Sequence, residues 1–455
     1  MALSAIRPGC PGRPGYTRRH RTMRVWSVAA GVTLLAATAC SSSGDESASS
    51  DTTTLTLGYY AAAGDPADTT MRELVDEFTA GNPDIDVEIQ AAPYGDFFSR
   101  LRTQIAGGDA PDVWLSDGVL VDEFAARGSL LDLSDRVAGL NEDDFHGIDL
   151  NRTPDGEIYG FPQGAQTPVL FYNTAMFEQA GIDPPDENWT YDDLAAAAEQ
   201  LTVDENGDGT PEVYGMRVHS SGFTESWWPM IKAFGGDIVT DDNTTVAVDS
   251  RESRQALQWM LDAIGDDGFA PDGVTTESLG GPHQLFANQM VAMIFGIYAR
   301  SLPAISADVE FDVAPLPTGP GGERGNVAIV NSWVINNEAG DEAADAAWRW
   351  IEYFAGEEPQ TRWAELGEAI PINRAVAESD AFLNSDTAPA GKQVFLDALE
   401  SSEDLGVNAV WAEYTGVLNE NIMATLDGGA DVDTALAEAQ SKAQEAIDRF
   451  YAESS

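Results

Sequence analysis

Cysteine is nearly absent: the 455 residues contain two, Cys10 and Cys40. Cys10 lies in an N-terminal stretch expected to be missing from the mature chain, so no disulfide, thiol nucleophile or cysteine metal centre is expected there. Lysine is as scarce, with Lys232, Lys392 and Lys442 alone. Lys and Arg together number 24 against 76 acids, a formal net charge of −52. A field of that sign repels phosphate backbones and anionic headgroups, which excludes nucleic-acid binding. Scarce lysine beside abundant acid fits salt adaptation, and equally a high-GC codon bias. Of the few histidines, His146, His219 and His283 stand isolated and read as loop or surface residues. G-x-S-x-G, H-E-x-x-H and G-x-x-x-x-G-K-[ST] are all missing, and acid pairs carry no weight in a chain where chance supplies many.

What is present begins at the N-terminus. Arg24 precedes "VWSVAAGVTLLAATA", an apolar run too short and too alanine-rich for a membrane span, which reads as a signal peptide over residues 1–39. Residues 1–22 carry Pro, Gly and Arg without a fold pattern, so Met23 is a second candidate start; a twin-arginine region at Arg18 and Arg19 is the alternative. Ala37, Thr38 and Ala39 before Cys40 resemble the bacterial lipobox, with Ala37 where Leu is usual. That resemblance implies a lipidated cysteine as mature N-terminus; an ordinary signal peptide with an incidental cysteine is the alternative. Residues 40–54 are Ser, Asp, Glu, Thr, Ala and Gly in the main, a flexible spacer that holds a folded domain off a membrane.

From Leu55 the pattern becomes α/β. "LTLGYY" reads as a strand, and "TTMRELVDEFTAGNP" as a helix with Met71, Leu74, Val75 and Phe78 at i, i+3, i+4 and i+7, stopped by Gly81 and Pro83. "DIDVEIQ" alternates as a strand, "GDFFSRLRTQIAGG" is amphipathic, and "APDVWLSDG" is a third strand with its exit. This order predicts a parallel sheet, whose ligands lie beyond the carboxyl ends of strands, at Tyr59–Asp65 and at Ser116, Asp117 and Gly118. A second α/β lobe follows, and 43% hydrophobic content suffices for two domains. One metal-like loop, "DENGDGTPEVYG", places Asp204, Asn206, Asp208 and Gly209 at calcium-loop positions with Glu212 at the ninth, but Gly215 stands at the twelfth. It reads either as a weak structural calcium site or as an Asx/Gly turn; no other cofactor is expected. Several of the 11 Trp stand beside loop residues, as in "SGFTESWWPMIKAFGGD" and "VNSWVINN". A Trp face suits the C–H face of a sugar, which points to Trp227 or Trp228 and to Trp333; core packing is the alternative.

The stretches "PYGDFFSRLRTQIAGGDAPDVWLSDG", "IYGFPQGAQTPVLFYNTAMFEQAGIDPP", "LFANQMVAMIFG" and "ELGEAIPINRAVAES" resemble the family 1 extracellular solute-binding proteins, the sugar-binding lipoproteins of ABC importers. The resemblance spans roughly residues 55–450. It implies a two-lobed periplasmic-binding-protein-like α/β fold with a hinge and an interlobe ligand cleft. The expected division is 55–162 with 297–330 in lobe 1 and 163–296 with 331–455 in lobe 2, with crossings near 160–166, 291–298 and 328–334. Carried over by motif, the implied ligand-binding residues are Tyr60, Asp65, Asp117, Gln166, Trp228, Tyr298, Asn331, Trp333 and Arg374. The implied function is capture of a di- or oligosaccharide for ABC permease subunits by a monomer on a lipid anchor, without catalysis. A polyamine or glycerophosphodiester on the same scaffold is the alternative.

Overall fold

The computed structural model describes residues 52–453, apart from 154, 221, 241, 266, 267, 404, 429 and 430. The signal peptide, Cys40 and nearly all of the spacer lie outside the described residues. The rest belongs to one compact unit, Ser50–Ser455, built on two sheets.

The first sheet has the order β2-β1-β3-β9-β4, from Ile85–Ala92, Thr53–Tyr60, Val113–Ser116, Ile329–Ile335 and Phe161–Gln166. β1 runs parallel to β2 and β3, while β9 is antiparallel to both β3 and β4. The crossover helix α1 (Pro66–Gly81) starts with proline at its first turn, where the missing N–H costs nothing, and buries Met71, Leu74, Val75 and Phe78 as its periodicity predicts. α2 (Tyr94–Gly107) buries Phe97, Phe98 and Leu101 and stops at Gly108, whose φ of 74° suits glycine.

The second sheet has the order β6-β7-β5-β8, from Tyr214–Met216, Val291–Gly296, Val169–Asn173 and Phe311–Ala314. Its strands β5 and β7 are buried at every position, consistent with helices on both faces. The helices Trp411–Leu426 and Val432–Glu453 pack on each other and on Arg251–Ile264 of this lobe.

The chain divides between the lobes differently from the expected boundaries. Residues 297–330, expected in lobe 1, include β8, which pairs with β5 in the second sheet. Of residues 331–455, expected in lobe 2, β9 lies between β3 and β4, and the helices Asp341–Phe354 and Glu357–Leu366 pack on α1 in lobe 1. An alternating strand pattern records that one face is buried, not which sheet buries it. The crossings fall between β4 and β5, between β8 and β9, and after Leu366, where Ile370 exchanges backbone hydrogen bonds of 3.0 and 2.9 Å with Ala165. The segment 291–298 crosses nothing, since β7 is interior to the second sheet.

Candidate functional site

The carboxyl ends of β1, β3 and β4 and the third crossing meet at one end of lobe 1. Tyr60 ends β1, and its ring lies 5.3 Å from Tyr94 and 5.5 Å from Phe98, both on the first turns of α2. Tyr94 is half exposed, and its hydroxyl donates to Asp117 Oδ2 at 2.7 Å. Asp117 follows β3, where its Oδ1 accepts the Val119 N–H at 3.3 Å and caps the short turn Gly118–Leu120. That turn lies so close to β9 that a Cβ on Gly118 would come within 2.3 Å of the Val330 carbonyl oxygen. Glycine is therefore the residue that lets the loop carry Asp117 into the cleft.

The electrostatics of this end are those of acceptors without counter-charges. Burial raises the Asp117 carboxyl above its ordinary value, although the Tyr94 hydroxyl and the Val119 N–H oppose the shift. Glu368, in the third crossing, is raised by burial and then by the like charge of Asp65. The Tyr60 phenol is pushed well up by burial, then by Asp117, Tyr94 and Glu368, so both carboxylates face it. Gln166 ends β4 and is 8% exposed. Its Nε2 donates to the Glu368 carbonyl, and its Oε1 has no hydrogen-bond partner. Asp65 is exposed at the start of α1. The structure thus brings together Tyr60, Asp65, Asp117 and Gln166, and adds Tyr94 and Glu368. Both additions sit inside the stretches that carry the family resemblance, "PYGDFF" and "ELGEAIP".

The other expected residues lie elsewhere. Trp333 is 0% exposed in the lobe 1 core, edge-on to Trp350 and Phe354 at 5.5 and 5.4 Å. Its expected ligand contact is therefore corrected: β9 continues through Asn331-Ser332 and turns the indole inward. Asn331 Oδ1 accepts the Gly118 N–H at 3.3 Å, which fixes the Asp117 loop. Trp228 is 2% exposed and packs on Trp227, Phe223 and Trp411 at 5.2–5.4 Å. Val119 and Leu120 of lobe 1 join the same apolar cluster, and their turn packs against the Trp411 helix, so these aromatics fill the contact between the lobes. Tyr298 lines a cavity of about 790 Å³ between the lobes, with Leu302 and Ile305 from lobe 2 and Ala364–Gly367 from lobe 1. Its ring meets Phe382 and Phe395 at 5.1 and 5.2 Å. Arg374 stands apart at the third crossing, 3.4 Å from Glu400 and beside His146, which burial and then Arg374 lower to about 4.

Lobe 2 holds a cluster that sequence reasoning missed. Arg217 is 0% exposed and donates to the carbonyls of Pro282, Phe295 and Glu225 at 2.7, 2.7 and 3.1 Å. The Glu225 carboxylate takes Nε and the terminal nitrogen of Arg300 at 3.0 and 2.7 Å, with Arg217 at 3.5 Å and His283 at 4.0 Å. Burial pushes Glu225 up, but the Arg300 hydrogen bonds and the charges of Arg217 and Arg300 outweigh it and hold the carboxyl low. Glu225 and Arg300 lie within stretches that stand out for their aromatics, and a pairing across 75 residues has no local signature.

The acidic loop is built as a turn rather than a cage. Asp204 accepts the N–H groups of Gly207 and Gly209, Asn206 that of Asp208, and Asp208 that of Thr210, all at 2.7–2.9 Å. Glu212 accepts the Glu205 N–H and the Asn206 amide. These bonds close the loop on itself as the Asx/Gly turn that the sequence also allows. Among the described residues, no three His, Cys, Asp or Glu side chains are grouped to hold a metal.

With that geometry in view, the relatives are informative. The model of the bacterial extracellular solute-binding proteins matches residues 62–361. A putative binding protein of Brucella abortus is 22% identical over 430 residues, covering 92% of this chain and 98% of its own. The maltodextrin-binding protein of Bacillus subtilis is 24% identical over 80% of this chain and 84% of its own. Among solved structures, an ABC substrate-binding protein from Listeria monocytogenes in complex with cycloalternan superposes with a TM-score of 0.76 at 24% identity, covering 88% of this chain and all of that one.

Proposed function

The chain belongs to the bacterial extracellular solute-binding proteins of ABC transporters, and from that premise we propose that it captures a di- or oligosaccharide between its lobes and presents it to the permease. The family and fold are those of substrate-binding proteins, which are not enzymes. One observation carries the saccharide reading: Tyr60, Tyr94, Asp117, Gln166 and Glu368 converge on one end of lobe 1 as aromatic faces and hydrogen-bond acceptors. Sugars offer C–H faces to the rings and hydroxyl donors to the oxygens. Closure of lobe 2 over a ligand seated there excludes water, and the permease distinguishes the closed form from the open one. A glycerophosphodiester fits less well, because it asks for Arg or Lys and no basic group acts on Asp117 or Glu368.

The same proposal holds the mature protein at the outer face of the membrane through acyl chains on Cys40. The test of binding is a thermal-shift and calorimetric screen of the protein from Ser41 onward against α- and β-linked di- and trisaccharides, polyamines and glycerophosphodiesters. A shift for one linkage that Asp117→Ala removes supports the reading, since a ligand that binds the native state raises the midpoint by mass action. Shifts for none of the sugars overturn it. The anchor is tested separately: palmitate labelling that survives in Cys40→Ala overturns it.

A further inference from the structure

Three acids among the described residues are fully buried, and each is paired with arginine. Asp68 has Arg72 at 3.1 Å, Glu123 has Arg102 at 3.1 Å and Arg127 at 3.2 Å, and Glu225 has Arg300 at 2.7 Å. The cleft end of lobe 1 departs from that pattern. Asp117 is desolvated with only a phenol and a backbone N–H as donors, and Glu368 with only the like charge of Asp65 beside it. Half-buried carboxylates with no cation beside them are open to a ligand that brings one, and two stand at this site.

We infer that this end of the cleft receives a protonated amine carried by the saccharide, seated between Asp117 and Glu368 against the rings of Tyr60 and Tyr94. The inference rests on the saccharide reading above and narrows it to amino-substituted sugars. Two further observations point to a ligand. Gln166 is more than nine-tenths buried with its amide against Glu368, and its Oε1 is an acceptor with no donor. Tyr60, Tyr94 and Phe98 contact one another at 4.9–5.5 Å, an aromatic wall beside the acids. Aromatic faces with carboxylates are the chemistry of ammonium recognition. The groups left open at this end, the carboxylates of Asp117 and Glu368 and the Gln166 Oε1, are acceptors, so the donors must come from the ligand, and an ammonium supplies three. Charge-assisted hydrogen bonds are roughly twice as strong as neutral ones, so a matched amine is favoured by about tenfold in Kd over its uncharged counterpart.

The experiment is calorimetry at pH 7 with matched probes: glucose-based di- and trisaccharides, their 2-amino counterparts, and the N-acetylated forms, which keep the bulk and lose the charge. The expected result is a Kd about tenfold lower for the amine than for either neutral form, with the preference abolished in Asp117→Asn and Glu368→Gln. Unfolding midpoints of both variants without ligand show that they fold; removal of a strained charge is expected to leave the midpoint unchanged or raised. Neutral sugars binding as tightly as their amines overturn this inference and leave the saccharide reading standing. Binding of a simple polyamine and of no sugar overturns the saccharide reading and, with it, the amino-sugar form of the inference.

Discussion

The cleft end of lobe 1 and the interior of lobe 2 treat charge in opposite ways. Lobe 1 presents Asp117 and Glu368 with no basic partner, half-buried among Tyr60, Tyr94 and Gln166. Among the described residues, lobe 2 buries a single carboxylate, Glu225, beneath two guanidinium groups, one of them completely enclosed. In a chain with 76 acids and 24 basic residues, the placement of so few cations separates structural acids from available ones. Glu225 belongs to the frame; Asp117 and Glu368 are, on the reading proposed above, the acids left for a ligand.

The largest expected effect tests the lobe 2 half of that contrast. Glu225→Ala strands Arg217 in the interior with no carboxylate, and loss of one partner of a buried pair costs about 3–5 kcal/mol. Urea denaturation should register a loss of that size. A loss below about 1 kcal/mol, the surface-pair level, would mean that Arg217 is held by its three carbonyls alone. Trp333→Ala is expected to cost a similar ~3–5 kcal/mol through the cavity it leaves against Trp350 and Phe354, with ligand affinity of the folded variant within twofold of wild type. A selective loss of affinity would return Trp333 to the cleft.

The pH dependence sharpens the comparison, because its sign reverses between the lobes. Glu225 is held below its ordinary 4.5 in the folded state, so the unfolded chain binds more protons in that window. The stability it contributes is present above pH 4.5 and is lost as pH falls through the lowered value. Asp117 and Glu368 are raised above 3.8 and 4.5, so the folded chain binds more protons and stability falls as pH rises from those values. Relative to wild type, Glu225→Gln should therefore lose more stability at pH 7 than at pH 4, whereas Asp117→Asn and Glu368→Gln should gain. Denaturation at both pH values checks this, and a common sign for all three variants would dissolve the distinction between the lobes.

Legibility in the sequence followed the range of each signal. The helix over Met71–Phe78 and the strands around it are local periodicities, and the fold reproduces them. Asp117 and Tyr60 were legible because a parallel sheet directs its strand ends toward ligands, a rule that needs only the element order. Trp333 and Trp228 lie deeper than the sequence suggests for one shared reason: a tryptophan near polar residues looks exposed until the pairing of β9 with β3 and β4, or the fit against Trp411, is known. The assignment of β8 and β9 to the wrong lobes has the same origin, since strand pairing across 138 residues or more leaves no local trace. Tyr94 and Glu368 carry no local signal because each meets a partner distant in sequence, Asp117 in one case and Gln166 in the other.

Tyr94→Phe is the smallest change and the most selective. It keeps the ring against Tyr60 and Phe98 and removes only the hydroxyl that donates to Asp117 at 2.7 Å. Half-exposed and on the first turn of α2, the hydroxyl contributes little to the fold, so stability should change by under ~1 kcal/mol. Affinity has two opposing contributions. Loss of the donor leaves Asp117 less well oriented, which weakens a neutral sugar by about threefold to fivefold. The same loss frees one oxygen of Asp117 and drives its carboxyl further up, which an incoming ammonium relieves and a hydroxyl does not. The variant should therefore weaken neutral sugars more than amino sugars and widen the preference between them. Calorimetry on the matched pair gives the ratio directly. A ratio that narrows would mean that the phenol, rather than the ligand, is the intended partner of Asp117.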